Sequence, residues 1–125
     1  MRNTLALAAA LLALSAVAVP AAFAAPARLA GPPTVILTTS ANGKSYDTKK
    51  LTAPAGKQFL LVFRNMTKQQ HNVSLEQGEL EYGATLTIAR GSTSSIFTLK
   101  KGVYHYYSSI GNDEHAGMSG TLTVK

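Results

Sequence analysis

The sequence predicts an all-β fold, a Greek-key β-sandwich of about seven to eight short strands. Two observations predict it. Beyond residue 33, no segment keeps the 3.6-residue apolar spacing of an amphipathic helix. Instead, short runs rich in β-branched and aromatic residues recur at close intervals, with turn residues between them. Many short strands without helices are typical of two packed sheets.

The individual strands follow from these runs. They are predicted at residues 34–39, 50–53, 58–64, 71–76, 85–89, 94–99, 103–108 and 121–125. Turns are predicted at Asn42-Gly43, at residues 54–57 (Pro-Ala-Gly-Lys) and at residues 90–92 (Arg-Gly-Ser). The strand at 58–64 is apolar on both faces, which predicts a central position in its sheet.

The strand at 103–108 has an informative alternation. Successive side chains of a strand point to opposite faces, so Tyr104, Tyr106 and Ser108 share one face, and His105 and Tyr107 share the other. If the face with Tyr104 and Tyr106 is the core, Ser108 points inward at the end of the sandwich. His105 then points outward and is interpreted as an ordinary surface residue.

The first 24 residues have the pattern of a secretory signal peptide. Arg2 precedes an apolar run over residues 5–19, and the small-residue sequence Ala22-Phe23-Ala24 follows Pro20, so cleavage is expected after Ala24. The run is short for a transmembrane helix, although an uncleaved anchor is the alternative. We expect a periplasmic or secreted protein without stable membrane insertion, with a flexible lead-in at residues 25–33 and one domain at 34–125.

The composition excludes several classes of function. The chain has no Cys, which excludes a disulfide framework, a thiol nucleophile and any thiolate metal ligand. The net charge of +6 is scattered along the chain. We interpret it as aiding solubility and steering toward acidic partners or anionic membrane surfaces, not as a nucleic-acid footprint. No nucleophile–base–acid arrangement is visible, and Ser108 lacks a Gly-x-Ser-x-Gly context, so no enzyme is expected.

Three segments resemble the cupredoxins, the blue-copper family of plastocyanin and azurin. Residues 51–65 resemble the family's strand, its Pro-Ala-Gly turn and its apolar strand ending in Asn. Residues 70–76 resemble the segment that carries the first His ligand, and residues 102–125 resemble the C-terminal hairpin. The resemblance covers residues 34–125 and implies the same sandwich, a metal ion as partner, and a monomer.

The resemblance implies a changed ligand set. By position, His71 matches the first His and Met118 the weak axial Met, but Ser108 stands in place of the Cys and Asp113 in place of the second His. A blue-copper centre needs the thiolate, and a serine hydroxyl is a poor ligand. The sequence therefore argues against a type 1 copper centre.

A different metal site remains a hypothesis, with His71, Asp113, His115 and Met118 as candidate ligands. Two imidazoles and a carboxylate suit Cu(II) or Zn(II), whereas two imidazoles and a thioether suit Cu(I). His115 lies two residues beyond the family's ligand position, so the loop would have to rearrange to recruit it.

Each candidate ligand also has a structural interpretation. His71 could be a core histidine bonded to the loop, and Met118 could pack beneath it. Asp113 could cap a turn, and His115 could be solvated. Ser108 is interpreted as a small inward filler. The acidic residues Glu76, Glu79 and Glu81 are interpreted as solvated surface, not as a second site.

Three functions follow from these observations. The first is an exported cupredoxin-like protein that binds copper, with zinc possible, for storage, delivery or sensing. The second is a metal-free module that binds a periplasmic or extracellular protein or a membrane component, with Tyr82 and Tyr107 as aromatic contacts. The third is electron transfer, the family's usual function, which the missing thiolate argues against.

Overall fold

The computed structural model describes residues 31–125, so the predicted signal peptide and residues 25–30 of the predicted lead-in lie outside the described residues. The elements in chain order are β1 (Thr34–Thr38), β2 (Lys50–Ala53), β3 (Gln58–Asn65), β4 (Ser74–Gln77), β5 (Leu80–Ala84), β6 (Gly91–Thr98), β7 (Gly102–Tyr107), α1 (Asp113–Ala116) and β8 (Ser119–Val124). Within this part of the chain, no helix has the length and apolar character that a bilayer-spanning helix requires.

The strands form two sheets. One has the order β1-β3-β6 and the other the order β2-β8-β7-β4-β5. Consecutive strands repeatedly change sheet, and two of the pairings, β1 with β3 and β2 with β8, are parallel. The predicted all-β Greek-key sandwich is confirmed, and β3 is central in its sheet as its apolar sequence predicted.

The core lies between the sheets and follows the period-2 alternation of the strands. From β3, Phe59, Leu61 and Phe63 are fully buried; from β7, Tyr104 and Tyr106 are buried opposite them. Burying a side chain of this size stabilises the fold by roughly 1.5–3 kcal/mol. The prediction that the Tyr104 and Tyr106 face of β7 is the core face is therefore confirmed.

Tyr106 occupies a tight place in this core. Its hydroxyl donates to the Thr48 carbonyl oxygen at 2.7 Å, and its ring centroid lies 5.6 Å from that of Tyr46. Gly120 on the neighbouring strand β8 is its register partner. A Cβ atom at Gly120 would lie 2.2 Å from the tyrosine ring and hydroxyl, so only glycine leaves room for this side chain.

The structure differs from the prediction in four elements. The predicted strand at 85–89 is irregular, because only Ile88 pairs there, through an isolated bridge to His71. β5 was not predicted, since its five residues are all exposed and give no apolar alternation. β6 begins at Gly91, inside the predicted turn, and the four-residue helix α1 lies in the C-terminal loop, where no helix was predicted.

Candidate metal centre

Three of the four candidate ligands, together with the serine at the Cys position, lie at one end of the five-stranded sheet. β8, β7 and β4 are neighbours, and Tyr107 at the end of β7 pairs with the first residue of β8 and the first residue of β4. His71 precedes β4, Ser108 follows β7, Met118 precedes β8 and Asp113 begins α1. The strand register therefore brings His71 beside the loop that carries the other three residues, although His71 and Asp113 are 42 residues apart in sequence.

The loop that presents His71 is organised by Asn65, the last residue of β3. The Asn65 amide donates to the carbonyl oxygens of Gln69 and Ile88, both at 2.7 Å, and its oxygen accepts from Thr67. His71 then exchanges two main-chain hydrogen bonds with Ile88, each 3.0 Å long. Because Asn65 is fully buried and its polar atoms are bonded, it fixes the path of the chain into the site.

Asp113 joins the two sides of the site through a single oxygen. Its Oδ2 lies 2.7 Å from the Nδ1 of His71 and accepts a hydrogen bond of 2.7 Å from the Ser108 hydroxyl. His71 and Ser108 are 3% and 1% exposed. An ionised carboxylate can only accept hydrogen bonds, so the Nδ1 of His71 carries the hydrogen. The residues that replace the family's Cys and second His are thus bonded to each other.

The other nitrogen of His71 has no partner. Among residues 31–125, the Nε2 of His71 is the one buried side-chain nitrogen or oxygen without a hydrogen bond. Leaving such a group unsatisfied costs roughly 1–3 kcal/mol. An unpartnered buried nitrogen of this kind makes His71 a candidate for binding a ligand.

The segment 108–118 is a closed loop. The Ser108 N–H donates to the Met118 carbonyl oxygen, the Met118 N–H to that of Asp113, and the Asp113 N–H to that of Ile110, each at 3.0 Å. The Met118 side chain is 1% exposed. Both substituted positions and the candidate thioether ligand are thereby held in a fixed turn.

The loop is also tied to the strand that follows His71. The Asn72 side chain accepts from the Ser109 N–H at 2.9 Å and donates to the Ser109 hydroxyl at 2.9 Å. His115 behaves differently: its side chain is exposed on α1 and makes no hydrogen bond to the rest of residues 31–125. The structure brings His71 and Asp113 together with Ser108, and leaves His115 outside this group.

The sequence model of the cupredoxin-like domain family matches residues 6–124. This chain belongs to the cupredoxin-like family. No curated protein matches this chain significantly.

Several solved structures share the fold. The sodium-dithionite-reduced auracyanin from Roseiflexus castenholzii is 22% identical, with a TM-score of 0.67 over 74% of this cupredoxin and 96% of the auracyanin. Auracyanin A, a "blue" copper protein from Chloroflexus aurantiacus, is 18% identical, with a TM-score of 0.67 over 76% of this chain and 100% of its own. Rusticyanin from Thiobacillus ferrooxidans is 20% identical, with a TM-score of 0.64 over 74% and 76% of the two chains.

The residues of this cupredoxin do not fit a type 1 copper ion. The chain has no Cys, and the serine at the Cys position donates its hydroxyl hydrogen to Asp113. Without a thiolate, the short copper–sulfur bond that defines such a centre cannot form. The hydroxyl of Ser108 also faces a carboxylate and not an imidazole base, so it is not arranged as an activated nucleophile.

The outer face of the same sheet carries a second group of ligand-type side chains. The Nε2 of His105 lies 3.1 Å from Glu114 Oε1 and 4.0 Å from Glu76 Oε1. The three ligand atoms lie within 4.8 Å of one another. His105 points outward as predicted, but Glu76 is not isolated on a solvated surface. The signal that sequence reasoning missed is the strand register, which pairs Glu76 with His105.

Tyr107 borders this outer group. Its ring stacks on that of His105, with centroids 5.5 Å apart, and its hydroxyl donates to Glu81 at 3.2 Å. Burial raises the pKa of Tyr107 to about 12, with smaller contributions from the hydrogen bond to Glu81 and from the negative charges of Glu76, Glu81 and Glu114. Three carboxylates, those of Glu76, Glu81 and Glu114, therefore lie close to the Tyr107 ring on the outer face.

Proposed function

We propose that this cupredoxin is an exported protein that binds copper, for storage, delivery or sensing, at a thiolate-free site formed by His71, Asp113 and Met118. The observation that carries the proposal is the 2.7 Å contact between His71 Nδ1 and Asp113 Oδ2 at the end of the sandwich. One imidazole and one carboxylate converge there with only a hydrogen between them.

The distance between these two atoms suits a shared metal ion. Metal bonds to imidazole nitrogen and carboxylate oxygen are about 2.0–2.2 Å long. Two ligand atoms at right angles around a tetragonal Cu(II) ion therefore lie roughly 3 Å apart, and those around a tetrahedral Zn(II) ion about 3.4 Å apart. The pair is already 2.7 Å apart, and its rearrangement would be a few tenths of an ångström. A metal ion could therefore take the place of the hydrogen without moving the strands.

The donor set decides which ions the site favours. His71 would bind through Nδ1 and Asp113 through Oδ2, a pair that suits Cu(II) or Zn(II). Met118, buried at the end of the same loop, would add a thioether and shift the preference toward Cu(I). His115 would join only if α1 rearranged, since its side chain is exposed.

A metal-free interaction module is the second candidate, and one observation favours it. Asp113 Oδ2 already bonds to both His71 and Ser108, so the loop is held without any ion. In that case the contact surface would include Tyr82, which is 39% exposed and packs edge-on against Tyr104. Electron transfer is less well supported, because no thiolate is available to the metal.

The test is a calorimetric titration of the purified protein with Cu(I), Cu(II) and Zn(II), with EPR for Cu(II). We expect the copper equivalent bound at this inner site to be lost in His71→Ala and kept in His105→Ala, a change to the outer-face histidine. The affinities of Met118→Leu for Cu(I) and Cu(II) test the thioether: if Met118 is a ligand, the substitution should weaken Cu(I) binding more than Cu(II) binding. Binding that survives His71→Ala unchanged, or no binding above background, would reject the copper site and favour the metal-free module.

A further inference from the structure

The outer group of His105, Glu76 and Glu114 combines three different elements. Glu76 lies on β4 and is the register partner of His105 on β7, and Glu114 comes from α1. Two of the three ligands therefore stand on paired strands, where the backbone is fixed by ladder hydrogen bonds. The His105 ring is further oriented by its stacking on Tyr107, with an interplanar angle of 14°.

The imidazole of this group can donate a hydrogen bond to only one of the two carboxylates beside it. His105 Nε2 can carry one hydrogen, and Glu114 at 3.1 Å is within hydrogen-bond reach. Glu76 at 4.0 Å is beyond it. Two carboxylates are thus held near one imidazole that can bond to only one of them, and their mutual repulsion is unfavourable.

The distribution of charge strengthens this imbalance. The chain has six acidic residues against twelve Lys and Arg, and five of the six lie at residues 76–81 and 113–114. Only Asp47 lies elsewhere. Of these five, Glu76, Glu81 and Glu114 lie around the rings of His105 and Tyr107, whereas Asp113 is directed to His71. The three outer carboxylates give this face a local attraction for cations.

We propose that His105, Glu76 and Glu114 form a surface site for a divalent transition-metal ion, with Zn²⁺ as the favoured species. One imidazole and two carboxylates are ligands that Zn²⁺ accepts, and three protein ligands leave a coordination position open to solvent. Ligand atoms of a tetrahedral ion lie about 3.4 Å apart for bonds of about 2.1 Å. The observed separations of 3.1 and 4.0 Å bracket that value.

The two proposed sites would share α1 but no ligand. Asp113 is directed to His71 and the next residue, Glu114, to His105. An ion on the outer face would bind α1 to β4 and β7, and so hold the helix that supplies Asp113. The outer site does not depend on copper binding at the inner one.

The test uses Zn²⁺ calorimetry on the purified protein in a His71→Ala background, which removes the inner imidazole. We expect one Zn²⁺ equivalent to remain in that background. Adding His105→Ala to this background should lower the affinity for Zn²⁺ at least tenfold. Glu76→Gln should lower it as well, because it removes the negative charge while keeping nearly the same side-chain shape. Glu79→Gln, a nearby carboxylate outside the group, is the matched control and should bind as its parent does.

The outcomes separate this proposal from the copper site. Loss of the equivalent with His105→Ala but not with Glu79→Gln supports the outer site, whatever copper does. No Zn²⁺ binding in the His71→Ala background, or equal binding by the His105→Ala and Glu79→Gln variants, overturns it. His105 is 37% exposed, so its substitution is expected to leave the fold intact, and a thermal melt of each variant checks this.

Discussion

Asp113 and His71 are 42 residues apart in sequence, but the Oδ2 of Asp113 lies 2.7 Å from the Nδ1 of His71. Asp113 stands where the resemblance places the second His ligand, and its carboxylate also accepts from the serine at the Cys position. Losing the Cys alone would leave a polar pocket lined by an imidazole. The two substitutions together instead build a hydrogen-bonded group in which each new side chain satisfies the other.

We expect copper binding to move the ring hydrogen of His71 from one nitrogen to the other. The Nδ1 of His71 carries a hydrogen toward Asp113, and a metal ion bound to that nitrogen displaces it. A neutral imidazole then carries its one hydrogen on Nε2, so the ring itself releases no net proton. Nitrogen NMR of the imidazole in the metal-free and Cu(I)-bound protein shows which nitrogen carries the hydrogen. A ring that keeps its hydrogen on Nδ1 after one equivalent of Cu(I) would show that His71 Nδ1 is not a ligand.

Asp113→Ala should destabilise the fold even without metal. It leaves both nitrogens of a buried imidazole without a partner and removes the acceptor of the Ser108 hydroxyl, a loss of roughly 1–3 kcal/mol. Asp113→Asn keeps an acceptor oxygen and should cost less. Urea unfolding of the metal-free protein measures both changes. Equal stability of Asp113→Ala and the wild type would contradict the role assigned to this carboxylate.

Ser108→Cys should restore part of the chemistry that the sequence lacks. Ser108 is buried and lies beside Asp113 and His71, so a thiolate there would join an imidazole and a carboxylate around Cu(II). Copper–thiolate bonding gives intense visible absorption. We expect colour on adding Cu(II) to Ser108→Cys and none with Ser109→Cys, an exposed neighbour. Equal spectra for the two variants would place the metal elsewhere.

Gly120→Ala should be strongly destabilising. The added Cβ would lie 2.2 Å from the ring and hydroxyl of Tyr106, whose position is fixed by burial and by a 2.7 Å hydrogen bond to Thr48. Overpacking of this kind costs about 1–3 kcal/mol or more. Gly102→Ala is the matched control, since its close neighbour is the movable end of Gln77. Thermal melts of both variants should show a clearly larger loss at Gly120.

Stability should fall at alkaline pH. Burial, with a smaller contribution from the negative charge of Asp47, raises the pKa of Tyr106 from 10.0 to about 12. The pKa of Tyr46 is raised as well, chiefly by burial. A phenol with a raised pKa in the folded state contributes stability that is complete below pH 10 and is lost as the pH rises toward 12.

Thermal melts across the alkaline range test this expectation, together with tyrosinate absorbance. Tyr106→Phe should flatten the decline, although it loses the hydrogen bond to Thr48. A melting temperature that falls equally steeply in the wild type and in Tyr106→Phe would show that another group governs the transition.

Sequence reasoning succeeded where the period-2 alternation determines the structure. Tyr104 and Tyr106 of β7 point inward, and His105 and Tyr107 point outward, because only one face of the strand packs against the core. It missed β5, whose exposed side chains gain little from burial, so its pairing with β4 comes from the main chain. The strand predicted at 85–89 failed because side-chain and main-chain bonds to Val73 hold Thr85 in an irregular path.

The candidate sites were predictable to different degrees. The positions of His71, Ser108, Asp113 and Met118 at one end of the sheet follow from the resemblance. That Asp113 would bond to both His71 and Ser108 depends on the turn of the loop, which no local pattern specifies. The outer group needs both the β4–β7 register and the position of α1, so it appears only in three dimensions.

The main-chain bonds between Ser108 and Met118, and between Met118 and Asp113, bear on kinetics as well as structure. Ordering a flexible segment costs about 1–2 kcal/mol per residue, and here that cost is met when the chain folds, before any ion arrives. The rates of metal binding and release would then be limited by movement of the His71 hydrogen and by desolvation, not by loop closure. Such a protein would exchange its metal ion quickly, and this loop would be similarly protected from local proteolysis when empty and when loaded.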